Sequence, residues 1–188
     1  MEEYLKLVTK QCHKKILDQM NNSIYKIKEK EDKIGFCFFC YIKNEKNKFP
    51  VMITTTEIIN SKYLSKNNSI LLLINNEYMP VDIGEIKYKN DEYDLSIINI
   101  LEKKDYNINF LELDDYLYED DNEIYLNKEP IYIMHYNNEN DISVSYNIIN
   151  NIIKSQLIFS YNISSNSYAF PIFNLTNNKL LGIFKSPL

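Results

Sequence analysis

The 188-residue chain has no arginine and no tryptophan, a single alanine, three glycines and three cysteines. Without arginine there is no bidentate grip on phosphate, so a nucleic-acid-binding face is not expected. The glycines stand alone at positions 35, 84 and 182, which leaves no glycine-rich loop to cradle a nucleotide phosphate. The longest apolar stretch, residues 34–42, is far short of the roughly 18 residues that a membrane-spanning helix needs. The start, Met1-Glu2-Glu3-Tyr4, lacks the basic and apolar regions of a secretion signal, and the expectation is a cytoplasmic protein. What remains is rich in Asn, Ile, Lys and Tyr. Hydrophobic residues make up 45% and charged residues 25%, the balance of a folded globular chain rather than a disordered one.

The net charge of −5 is unevenly spread. Residues 1–50 carry eleven Lys against seven acids, and residues 51–188 carry ten Lys against nineteen acids. Most of the chain would therefore repel phosphate, and the lysines of the first part read as a solvated face. Cys12, Cys37 and Cys40 form no disulfide framework. Cys37-Phe38-Phe39-Cys40 has the spacing of a redox or zinc motif. Its neighbours are aromatic and β-branched, so it reads as a strand, where an offset of three puts the thiols on opposite faces about 10 Å apart. A disulfide spans at most roughly 7 Å. His13 and His135 are not spaced as ligands, and neither a metal nor a cofactor is expected.

Leu5, Val8, Cys12, Ile16 and Met20 recur at steps of three and four, which predicts an amphipathic helix over residues 2–20, stopped by Asn21-Asn22. The period then shortens to that of strands. Runs are predicted at 23–28, 34–43, 51–55, 69–75, 78–83, 85–89, 95–100, 109–113, 123–126, 130–136, 143–153, 156–161, 171–175 and 179–184, separated by Asn-rich turns such as Asn177-Asn178. So many short strands predict an all-β protein of barrels or sandwiches. Residues 114–123 hold Asp114, Asp115, Glu119, Asp120, Asp121 and Glu123 with no base. They lack the glycine turn of a calcium loop and read as a solvated linker. The expected organisation is a helix over 1–22, a first barrel over 23–113, the linker over 114–123 and a second barrel over 124–188.

Several stretches, in this order, carry a resemblance. Val51-Met52-Ile53-Thr54-Thr55-Thr56-Glu57 resembles the strand and turn that bear the catalytic histidine of trypsin-like serine peptidases. Asp94-Leu95-Ser96-Ile97-Ile98 resembles that family's aspartate and the strand after it. Asn166-Ser167-Tyr168-Ala169-Phe170-Pro171 resembles the nucleophile loop, Gly-x-Ser-Gly-(Gly or Ser)-Pro, and Lys179-Leu180-Leu181-Gly182-Ile183 the strand that follows. Phe38-Phe39-Cys40 resembles an early strand of the same family. The resemblance covers roughly residues 25–185. It implies the chymotrypsin-like fold of two packed six-stranded β-barrels, with the second expected to lack its last strand and the N-terminal helix as an addition.

For activity, the resemblance implies loss. Glu57 stands at the histidine position and Tyr168 at the nucleophile position, so only Asp94 of the triad is kept. A carboxylate titrating at about 4.3 would have to take a proton from a phenol titrating at about 10, a climb of roughly 8 kcal/mol. In the former oxyanion loop, Asn166 replaces the first glycine and Ala169 the next, and the bulk of Phe170 is expected where a substrate carbonyl would lie. Asp94 is expected to hold the histidine turn by accepting backbone N–H bonds. The expected function is that of a non-catalytic, trypsin-like pseudopeptidase that binds a protein or peptide, through the remnant cleft or an open sheet edge that could also join two copies. The alternatives are an unconventional hydrolase using Tyr168 and Glu57, as sialidases pair Tyr with Glu, and a regulatory subunit of an active relative. A shifted nucleophile, Ser165 or Ser167, would still lack a base, because His135 falls on a second-lobe strand.

Overall fold

A computed structural model describes residues 8–28, 34–43, 47–59, 63, 68–101, 108–118, 128–136, 141–153, 156–158 and 170–184. The chain divides into two compact units. One comprises Asn21–Leu111; the other joins Met1–Met20 to Glu112–Leu188.

The Asn21–Leu111 unit is a closed barrel. Its strands are β1 (Ile24–Lys28), β2 (Ile34–Lys43), β3 (Lys48–Thr54), β4 (Ser69–Ile74), β5 (Glu77–Asn90) and β6 (Leu95–Ile100), with the short β7 (Phe110–Leu111). Hydrogen bonding runs β1-β4-β5-β6-β3-β2, and β2 returns to β1 to close the ring. Period-two alternation fills it: Tyr25 and Ile27, Cys37 and Phe39, Met52, Ile70 and Leu72, Val81 and Ile83, and Ile98 and Ile100 all point into one core. The registers agree, since Tyr25 pairs with Cys37, Phe39 with Met52, Met52 with Ile98 and Ile70 with Val81. Phe38, Cys40, Val51 and Ile53, on the opposite face of β2 and β3, are buried as well. Cys37 and Cys40 thus lie on opposite faces as free, buried thiols. Beyond the partner of Ile24, where β1 begins, β7 takes over the same edge of β2 in parallel, at Phe39 and Cys40.

Two predicted strands, 78–83 and 85–89, are one. Gly84 reads as a break in the sequence, yet β5 runs through it and bends at irregularities between Ile83 and Tyr88. Its first half pairs with β4 and its second with β6, which is how one long strand turns a barrel corner.

The helix α1 spans Lys10–Asn22, not residues 2–20, and belongs to the second unit through Met20. Val8 and Thr9 are not helical, and residues 1–7 lie outside the described set. Thr9 sets the start: its Oγ1 accepts the Cys12 N–H at 3.1 Å, the bond of an N-cap. At the other end, in the barrel unit, the Tyr25 hydroxyl donates to the Asn22 carbonyl at 2.6 Å and satisfies one of the helix's orphan acceptors. The sheet of this unit has β13 (Leu180–Phe184), β12 (Phe170–Asn174), β8 (Pro130–Tyr136) and β9 (Ile142–Ile148) in that order, with β10 (Asn151–Ile153) and β11 (Gln156–Ile158) as a separate pair. Among the described residues these six strands form two sheets, not a closed ring. The edge of β13 is met at its first residue by a parallel bridge from Leu113, with Leu180 N–H donating to Glu112 O at 2.8 Å.

The predicted linker begins inside this unit, and its first residue is not solvated. Asp114 is 1% exposed. Its carboxylate accepts from the side-chain amides of Asn174 (3.1 Å) and Asn177 (2.9 Å) and from the Tyr116 N–H (3.1 Å). These donors come from the last residue of β12, the turn after it and the 3-10 turn Asp115–Tyr118, so the acidic run opens by pinning the β12–β13 connection. Residues 119–127, which include the predicted strand at 123–126, lie outside the described set.

Candidate functional site

The first two positions of the resemblance come together in the barrel unit. Glu57 lies in the turn that follows β3, and Asp94 immediately precedes β6, the neighbour of β3. Several bonds hold this turn. Ile59 N–H donates to Thr55 O at 3.1 Å, Thr54 Oγ1 donates to Phe36 O at 2.8 Å, and the buried Ser96 hydroxyl donates to Ile59 O at 3.0 Å. Ile58 and Ile59 fill the barrel core beneath. Gly35 of β2 makes room, because a Cβ there would stand 2.6 Å from Ile58 Cγ1.

Asp94 completes the frame. Its Oδ1 accepts the Thr56 hydroxyl in a short bond and the Glu57 N–H at 3.1 Å. Its backbone oxygen faces the Thr56 N–H at 3.4 Å. The residue has φ 48°, a left-handed conformation that Asp tolerates better than most side chains. Glu57 itself is exposed at the tip. The carboxylate therefore ties two strand ends together, and the side chain at the histidine position extends at the surface.

The third position cannot be joined to these. Asn166, Ser167, Tyr168 and Ala169 lie outside the described residues, as does Ser165. Phe170 is described. It is the first residue of β12 and wholly buried, its ring meeting the His135 ring edge-on with centroids 6.1 Å apart. Like the other residues of β12, it is buried within its own unit. Among the described residues no group of three His, Cys, Asp or Glu could hold a metal ion. No helix there is long and apolar enough to cross a membrane.

Two further polar groupings were not legible beforehand. Tyr132 donates to Gln19 Oε1 at 2.6 Å and accepts from Asn178 Nδ2 at 3.2 Å, while Gln19 Nε2 donates to Asn178 O at 3.0 Å. Asn178 also reaches Cys12 Sγ at 3.3 Å. This buried network docks α1 on the β12–β13 turn, where Asn178 has φ 62°. Burial holds the Tyr132 phenol well above its ordinary pKa. The second grouping is His135, whose Nε2 lies 2.9 Å from Ser145 Oγ. The sequence pattern held a signal for neither, because each depends on strand register.

With this geometry in place, the comparisons decide the fold. Over 94% of the chain, the structure superposes on the crystal structure of Deg5 with a TM-score of 0.57 and 11% identity, covering 85% of that protein. It also superposes on the crystal structure of the serine endoprotease from Yersinia pestis, with a TM-score of 0.53 and 11% identity, over 94% of this chain and 58% of that one. The fold is chymotrypsin-like. No protein-family model matches the chain, and no curated protein matches it in sequence.

Proposed function

We propose that this chain is a non-catalytic relative of the chymotrypsin-like serine proteases that binds a protein or peptide. The observation that carries the reading is the Asp94 carboxylate. Its Oδ1 accepts both Thr56 Oγ1–H and the Glu57 N–H, so the residue has a structural reason to be present that owes nothing to proton transfer. In a serine protease the aspartate orients an imidazole that takes the serine proton. Here the residue on that turn is an exposed glutamate and not an imidazole. A framework kept without its base supports recognition rather than cleavage.

The binding mode in view is that of an extended peptide adding to a sheet edge, where backbone bonds give affinity and alternate side chains give selectivity. The test is calorimetric titration of the full chain with peptides selected from a random library. Each peptide is recovered and weighed by mass spectrometry. Saturable binding with the peptide returned intact is expected. Cleavage that disappears in Tyr168→Phe, or no selectable peptide at all, would overturn the proposal.

A further inference from the structure

Ser145 and His135 take no part in the site described above; both lie in the unit that does not contain Glu57 and Asp94. On the β8–β9 ladder His135 pairs with Ser143, and Ser145 is the next residue of β9 on the same face. Nε2 of His135 is 2.9 Å from Ser145 Oγ, and Nδ1 is 3.4 Å from the Tyr136 backbone oxygen. A carbonyl oxygen only accepts. The tautomer that satisfies both contacts therefore carries its proton on Nδ1 and turns the bare Nε2 toward the hydroxyl. This is the arrangement of a general base and its nucleophile, at hydrogen-bonding distance and with the far nitrogen held by a third group.

The surroundings suit the role. His135 is buried, with the Phe170 ring edge-on against it, while Ser145 keeps part of its surface in solvent. Burial also lowers the imidazole pKa below its ordinary value, so the ring is neutral at pH 7, the form that can accept a proton.

We propose that Ser145 is a histidine-activated nucleophile that takes an acyl group from an activated ester, with His135 as its base. In the step, Ser145 Oγ forms a bond to the carbonyl carbon and the ester C–O bond breaks. The serine proton moves to Nε2 and from there to the departing alkoxide, which leaves as the alcohol. The products are an O-acyl Ser145 and a neutral imidazole.

The test is incubation of the full chain with p-nitrophenyl acetate, with the acetylated position found by peptide mass spectrometry. Acetylation of Ser145 is expected, at a rate that rises with pH and levels off above the imidazole pKa. In His135→Gln it should fall at least about 10²-fold, the usual contribution of a positioned base. An unmodified Ser145, or an equal rate in a folded His135→Gln, would overturn the proposal. Because His135→Gln removes a buried group and could fail to fold, Ser145→Cys supplies a second reading. Beside a neutral imidazole its thiol should alkylate with iodoacetamide at pH 6.5 faster than free cysteine, and a rate no faster would equally overturn it. Acylation at Ser145 leaves the reading of Glu57 and Tyr168 untouched, since the modified position tells the two sites apart.

Discussion

Replacing Asp94 by alanine removes the acceptor of the Thr56 hydroxyl and the Glu57 N–H together. A hydrogen bond to a charged group contributes about 1.5–3 kcal/mol, and the half-exposed position of Asp94 favours the lower figure for each. Alanine at φ 48° adds about 1 kcal/mol of backbone strain that glycine escapes. The expected order is Asp94→Ala at about 4 kcal/mol, Asp94→Gly at about 3 and Asp94→Asn at about 1, since the asparagine oxygen still accepts both bonds, though without charge. Urea unfolding reads this directly. With a slope of about 2 kcal/mol/M, the alanine variant's midpoint should drop by about 2 M. Amide exchange at Glu57 should accelerate in the alanine and glycine variants and much less in Asp94→Asn. An alanine variant within about 1 kcal/mol of the parent, with Glu57 exchange unchanged, would refute the claim that this carboxylate holds the turn.

Gly35→Ala should destabilise by about 1–3 kcal/mol, because its Cβ would stand 2.6 Å from Ile58 Cγ1; Ile58→Ala in the same chain should recover part of that loss, and strict additivity in denaturation would contradict the contact. Burial pushes the Cys40 thiol up to about 12 and holds that of Cys37 well above its ordinary value, so at pH 8 neither should react with iodoacetamide until the chain unfolds, and rapid labelling of either in the folded protein would contradict their placement. Burial likewise pushes the Tyr25 phenol up to about 12. Its folded pKa exceeds its unfolded one, so its contribution to stability is complete below about pH 10 and is lost as pH rises from about 10 to 12. Tyr25→Phe should flatten that part of a melting-temperature profile, and an unchanged slope would refute the assignment.

The barrel was legible in the sequence because period-two alternation is written residue by residue. Ile34–Lys43, Leu95–Ile100 and Pro130–Tyr136 have the bounds that their apolar runs predict. Gly84 misled, since a glycine within a strand pattern marks a bend as readily as an end. Helix α1 was found, but its start was not. The apolar repeat extends back to Leu5, whereas a single hydroxyl, Thr9 Oγ1, caps the helix at Lys10. The acidic run at 114–123 shows the limit of reading charge as solvation, because Asp114 finds three donors, two of them distant in sequence. The turn at Glu57 was visible through Asp94 and the threonines before it. The roles of Gly35 and Ser96 in holding that turn were not, because they act through space on Ile58 and on the Ile59 carbonyl.

The most direct test of the central claim, that this chain keeps the protease frame without its proton transfer, is a mass-spectrometric search for cleaved bonds in a proteome-derived peptide library. The library is incubated with the full chain and, in parallel, with Tyr168→Phe and Glu57→Gln. The account predicts the same background pattern in all three. Cleavage by the parent that vanishes in both variants would contradict it.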